Sequence, residues 1–68
     1  MDNNLVKMTL INLLNGITEF EDANGSNKLA VIFDDLTDLV RKTDEISDED
    51  VYQLGEQIAN IYFEYSLS

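Results

Sequence analysis

The 68-residue chain predicts an all-α fold, a small three-helix bundle, on three observations. Apolar side chains recur at alternating three- and four-residue steps in three separate segments, the spacing that lines one face of a helix. Short polar stretches separate those segments, as the connections of a bundle require. An apolar content of 44% with this periodicity is enough to build a core, which excludes a disordered chain.

The first segment runs from Asn4 to about Glu21. Val6, Leu10, Leu13, Ile17 and Phe20 form its stripe, and Met8, Ile11 and Leu14 widen it to one side, so this helix should meet two neighbours. Gly16 costs it about 1 kcal/mol against alanine and marks a candidate close approach of another backbone.

The stretch "EDANGSNK" breaks the pattern. Asn24-Gly25 favours positive φ and a stop, and Ser26 or Asn27 can cap a second helix. In "KLAVIFDDLTDLVRKT", Leu29, Ile32, Phe33, Leu36, Leu39 and Val40 share a face, Asp34 and Asp38 lie opposite, and Arg41 and Lys42 suit the helix C-terminus. "LAVIF" also reads as a buried strand and Asn-Gly is a hairpin signal, so an α+β fold with a short hairpin around 17–33 is the alternative. The stripe continuing past Phe33 to Val40 favours the helix.

The third segment runs from Ser47 to about Tyr65, with Val51, Leu54, Ile58, Ile61 and Tyr65 as a heptad-like seam and Tyr62 beside it. Ser47 and Asp50 make a capping-box pattern, and Asp48, Glu49 and Asp50 occupy the first turn, where negative charge is favourable. Helix initiation therefore explains part of the acidic run "TDEISDEDVYQLGEQ".

It does not explain the whole charge layout. The net charge is −10, from 14 acidic and 4 basic side chains. Residues 44–68 carry seven acids and no base, where an ordinary exposed helix pairs Glu with Lys one turn on. The face opposite the seam holds Glu49, Gln53, Glu56, Asn60 and Glu64 interleaved with Tyr52 and Phe63. Aromatics are enriched in binding hot spots, and the flanking Gly55 and Ala59 are small enough to admit another helix.

An acidic chain is unsuited to direct binding of nucleic acid or anionic lipid, both of which are read through Lys and Arg. It suits a basic protein partner and accelerates that encounter. With no Cys and no His, disulfides and common zinc sites are excluded, which leaves oligomerisation or a partner to support so small a core; a homodimer is expected. No residue pattern resembles a signal peptide and the longest apolar run, "LAVIF", is far too short for a membrane span, so a cytoplasmic protein is expected.

Catalysis is not expected, because neither His nor Cys is present and Ser26, Ser47, Ser66 and Ser68 lie in no nucleophile context. "DANGSNKLAVIF" partly matches a calcium loop but has Asn27 where glycine is needed and Phe33 where the bidentate Glu is needed, so it reads as an ordinary polar connection. No metal or cofactor is expected.

The function expected is that of a non-enzymatic inhibitor or regulator that occupies a basic, nucleic-acid-binding surface on another protein, its carboxylates standing where phosphates would bind. Asp48, Glu49, Tyr52, Glu56, Phe63 and Glu64 are its candidate contacts, with Asp34, Asp35 and Asp38 as a second acidic patch. Small acidic proteins of this type suit a phage or mobile element that must neutralise a host defence. Two alternatives stand beside it. One is a helical homodimer or assembly subunit joined through Tyr52, Gly55, Ala59 and Phe63; the other is an antitoxin or immunity protein.

Overall fold

The computed structural model describes residues 3–67 and contains three helices: α1 (Asn3–Ala23), α2 (Asn27–Lys42) and α3 (Asp48–Leu67). Among the described residues there is no strand, so the hairpin around 17–33 does not form. "LAVIF" lies inside α2, where Leu29 and Phe33 stack one turn apart on the buried side. Met1, Asp2 and Ser68 lie outside the described residues.

Glycine ends α1 as its sequence requires. Gly25 has φ +80, Ser26 N–H donates to Glu21 O at 2.8 Å, and Gly25 N–H donates to Asp22 O at 3.0 Å. This six-to-one and five-to-two pair is a Schellman closure, which satisfies carbonyls the helix leaves open. Ser26 is therefore occupied twice. It closes α1 and also starts α2, where its carbonyl accepts Ala30 N–H at 3.0 Å, and its hydroxyl makes no cap bond. The expected side-chain cap at Ser26 is absent because its backbone angles are set by the preceding closure.

Helices α1 and α2 form a close antiparallel pair. Ala30 and Thr37 are both buried in α2, and the Thr37 hydroxyl is satisfied within its own helix by Phe33 O at 2.9 Å. Leu14 and Phe33, each 0% exposed, anchor the core, joined by Leu29, Leu36, Val40, Ile46 and Leu54.

The third helix runs antiparallel to α2 and alongside α1 in the same direction. Two contacts fix that course. At one end the Asn3 side chain accepts Ile46 N–H at 3.0 Å and donates to Ile46 O at 2.6 Å, a clamp on the α2–α3 connection. At the other end, 41 residues along the chain, the Tyr62 hydroxyl donates to Glu21 at 3.3 Å. Lys7 adds a bond to Thr43 O at 2.6 Å, which places a cation on the C-terminus of α2.

Unlike the α1–α2 pair, α3 is held at a distance. Among the described residues none of its Cα atoms comes within 8 Å of α1 or α2, and its hold on the core is through side chains: Leu54, Ile58, Ile61 and the Tyr62 ring, 5.5 Å from that of Phe33.

This arrangement corrects several inward assignments. Leu13 and Phe20 of α1, expected in the stripe, are exposed, as are Met8 on the opposite flank of α1 and Leu39 of α2. Val51 and Tyr65 sit at the margins of the α3 seam rather than in it. For Leu13 and Phe20 the reason is that α1 carries an apolar arc wider than two neighbours can cover, and the stand-off of α3 leaves their side of that arc uncovered. Gly16 is not a point of close approach, since a Cβ there would meet no atom within 4 Å.

Candidate functional site

The start of α3 is built as its sequence specifies. Ser47 Oγ accepts Asp50 N–H at 3.1 Å while Asp50 Oδ2 accepts Ser47 N–H at 3.0 Å, a reciprocal capping box with Asp in place of Glu. Those bonds favour the ionised carboxylate. The backbone N–H of Ser47 is the main cause, with the Ser47 side chain second, and Asp50 is held below its usual carboxylate range. Asp48 and Glu49 complete an acidic first turn, and Glu49 also accepts the Gln53 amide at 3.1 Å.

Beyond that turn the outward side of α3 carries Tyr52 and Phe63, each 64% exposed. They lie eleven residues apart, three helical turns on the same side, with Gly55, Glu56 and Ala59 between them, all exposed. A Cβ added at Gly55 would meet nothing within 4 Å. Large aromatics in water, small residues and carboxylates without a cation beside them therefore share one strip.

Glu64 belongs elsewhere. It lines a groove between α2 and α3 with Lys28, Leu29, Ile32, Ile61 and Tyr65, on the flank away from Tyr52 and Phe63. Asp34, Asp35 and Asp38 are exposed on α2, and Asp38 is tied to Arg41 at 3.4 Å. The structure thus divides the nine acidic and aromatic candidates between two helices and brings Asp48, Glu49, Tyr52, Glu56 and Phe63 together on one. Among the described residues no three acidic side chains converge as a metal ion would need. No helix among them is long and apolar enough to cross a membrane.

The cations are segregated from this strip. Lys28, Arg41 and Lys42 are all on α2, and Lys7 is bonded to Thr43 O. The sequence pointed to the acidic helix but not to two things: the exposed apolar residues of α1 on the same side of the molecule, and the bond from the half-exposed Tyr62 to the buried Glu21. A polar residue recurring at the i+7 position from Leu14, within an otherwise apolar stripe, is the only signal the sequence holds for Glu21.

Comparison with protein families, curated proteins and solved structures found no match to this chain.

Proposed function

We propose that this chain is a non-enzymatic binding protein that covers a basic, nucleic-acid-binding surface on a partner protein and so inhibits or regulates it. The observation that carries the reading is the exposed helix α3, which carries no base along its length and whose outward strip joins Tyr52 and Phe63 to Glu49 and Glu56. Carboxylates alone would indicate solubility. Exposed aromatics among them add the apolar contact on which binding energy concentrates.

Glu49 and Glu56 are two helical turns apart, about 10 Å along the axis. That is about three phosphate-to-phosphate steps along the axis on one nucleic-acid strand. A helix is rigid enough to hold them at that separation, so they act as fixed substitutes for phosphates, and long-range attraction speeds the approach of a basic partner.

The test is capture on immobilised chain at low salt, followed by challenge with duplex DNA. A basic protein that is retained, released as salt rises and displaced by DNA supports the reading, provided the Glu49→Lys, Glu56→Lys variant fails to retain it. Retention unchanged by that charge reversal overturns it. In the second reading, an assembly subunit, Tyr52→Ala with Phe63→Ala breaks self-association instead; the open space at Gly55 is the observation in its favour.

A further inference from the structure

Leu5, Leu13 and Phe20 are exposed on α1, and helical geometry puts them on one flank with Thr9 and Gly16. That flank is turned towards α3. Leu5, Val6, Thr9 and Leu10 line, with Val51 of α3, a hollow of about 440 Å³ whose walls are almost wholly apolar. On the other flank of α1, Thr18, Glu19 and Asp22 line a shallow hollow with Ala30, Val31 and Asp34 of α2, so carboxylates from both helices stand there.

Opposite Leu5, α3 offers Val51; Gly55 and Ala59 follow it at four-residue steps, and Phe63 comes next, near the level of Phe20 that the Tyr62–Glu21 bond sets. No described Cα of α3 comes within 8 Å of α1; Val6, Leu10 and Ile17 pack on the core between them, and Leu5, Leu13 and Phe20 are left uncovered along a shallow apolar trough. From Leu5 to Phe20 it runs about 22 Å, four turns of helix.

The molecule's surface is larger than its mass requires. It exposes 4952 Å², where a compact 7.7 kDa monomer exposes about 4,300 Å². The difference, about 600 Å², is spread over an elongated molecule, 37 Å in its longest extent.

Charge selects the occupant. The α3 rim of the trough carries Asp48, Glu49 and Glu56, and among the described residues neither rim carries a free cation, because Lys28, Arg41 and Lys42 are on α2 and Lys7 is held by Thr43 O. A second copy docking here would bring together two base-free segments of seven acids each. We infer that the trough between α1 and α3 docks an amphipathic helix of a partner protein, its apolar side against Leu13, Phe20, Gly55 and Ala59 and its flanks basic. Helix-in-groove docking matches the length and shape, and the acidic rim matches the flanks. The inference rests on the reading that the partner is basic and specifies the element recognised.

The test uses the full chain and a labelled synthetic helix of about 18 residues, ~27 Å long, with leucines on one face and lysines elsewhere. One control has the same composition with the leucines scattered over all faces; another has Glu for Lys. Binding is read by anisotropy and mapped by amide chemical shifts. The amphipathic basic peptide should perturb residues along α1 and α3, and the scattered control should bind about tenfold more weakly. Leu13→Ser with Phe20→Ser should also weaken binding by about tenfold, since truncated anchors of this size dominate interfaces. Leu39→Ser, an equally exposed leucine on α2, should leave it unchanged.

Equal binding of the amphipathic and scattered peptides overturns the trough and leaves the basic-partner reading standing. Equal binding of the Glu peptide overturns both. A chain that is dimeric until Leu13→Ser and Phe20→Ser make it monomeric overturns the inference in favour of a second copy.

Discussion

Tyr62→Phe removes one oxygen atom and isolates what that oxygen does. The ring should stay against Phe33, 5.5 Å between centroids, so little packing is lost. What disappears is the donor to Glu21, a side chain only 7% exposed, across 3.3 Å. A hydrogen bond to a charged group contributes about 1.5–3 kcal/mol, and an unpartnered buried group costs a comparable amount. This bond is longer than the usual hydroxyl distance and Tyr62 is 37% exposed, so water can partly replace the lost donor. The expected loss is therefore about 1–2 kcal/mol.

In a domain this small the urea slope is about 1 kcal/mol per molar, so the unfolding midpoint, followed by helical circular dichroism, should fall by about 1–2 M. The second arm is Glu21→Met. Added to Tyr62→Phe it should recover most of the loss, because replacing both partners by apolar groups is nearly neutral. A midpoint that moves by less than about 0.3 M, or a double variant no more stable than Tyr62→Phe, would refute the account of Glu21 as a buried acceptor dependent on that hydroxyl.

There is a pH signature as well. Burial first, and the neighbouring Glu21 charge second, raise the Tyr62 phenol above its ordinary value. Its folded value lies above its unfolded one, so its contribution is complete below the unfolded value and is lost as pH rises through the folded one. Wild type should lose more stability above about pH 10 than Tyr62→Phe does.

The same geometry sets other outcomes. Ser47→Ala should cost about 1 kcal/mol by removing the α3 cap, read by urea unfolding. Asp50 is shifted the other way from Tyr62: its folded value lies below its unfolded one, so its contribution is present at neutral pH and lost as pH falls through the folded value, and acid titration should destabilise wild type more than Asp50→Asn. The glycines should respond with opposite signs: Gly16→Ala, in open space on a helix, should add about 0.5–1 kcal/mol, and Gly25→Ala, at φ +80, should cost about 1–2 kcal/mol by urea unfolding. Leu14→Ala should cost about 2–5 kcal/mol while its neighbour Leu13→Ser stays within about 0.5 kcal/mol, in spite of their equal standing in the sequence stripe. Amide exchange should be fastest in α3 among the three helix interiors, because among the described residues none of its Cα atoms comes within 8 Å of another helix and its one buried apolar residue, Leu54, is less enclosed than Leu14 or Phe33.

The local chemistry of this chain was legible because each instruction is carried by neighbouring residues. Asn24-Gly25 dictates a positive-φ stop wherever it stands, since only glycine enters that region without a Cβ penalty. Ser47 and Asp50 satisfy each other's backbone N–H across three residues without help from the rest of the fold. The acidic strip was equally legible, since side chains eleven residues apart on a helix share a side whatever that helix packs against.

Which apolar residues face inward was not legible. Val6, Leu10, Leu13, Leu14, Ile17 and Phe20 all fit a helical repeat, and periodicity gives spacing without phase when the arc is this wide. Leu14 is buried and Leu13 is not because α2 comes close on one flank while α3 stands off on the other. The distance between helices depends on side chains meeting across more than 40 residues, such as Tyr62 with Glu21 and Asn3 with Ile46, and no local rule encodes those meetings. The sequence by itself determined three helices, their ends and an acidic third helix without bases. Only the tertiary structure decided that the trough beside that helix is apolar and open, because an exposed leucine and a buried one differ in their neighbours and not in their spacing.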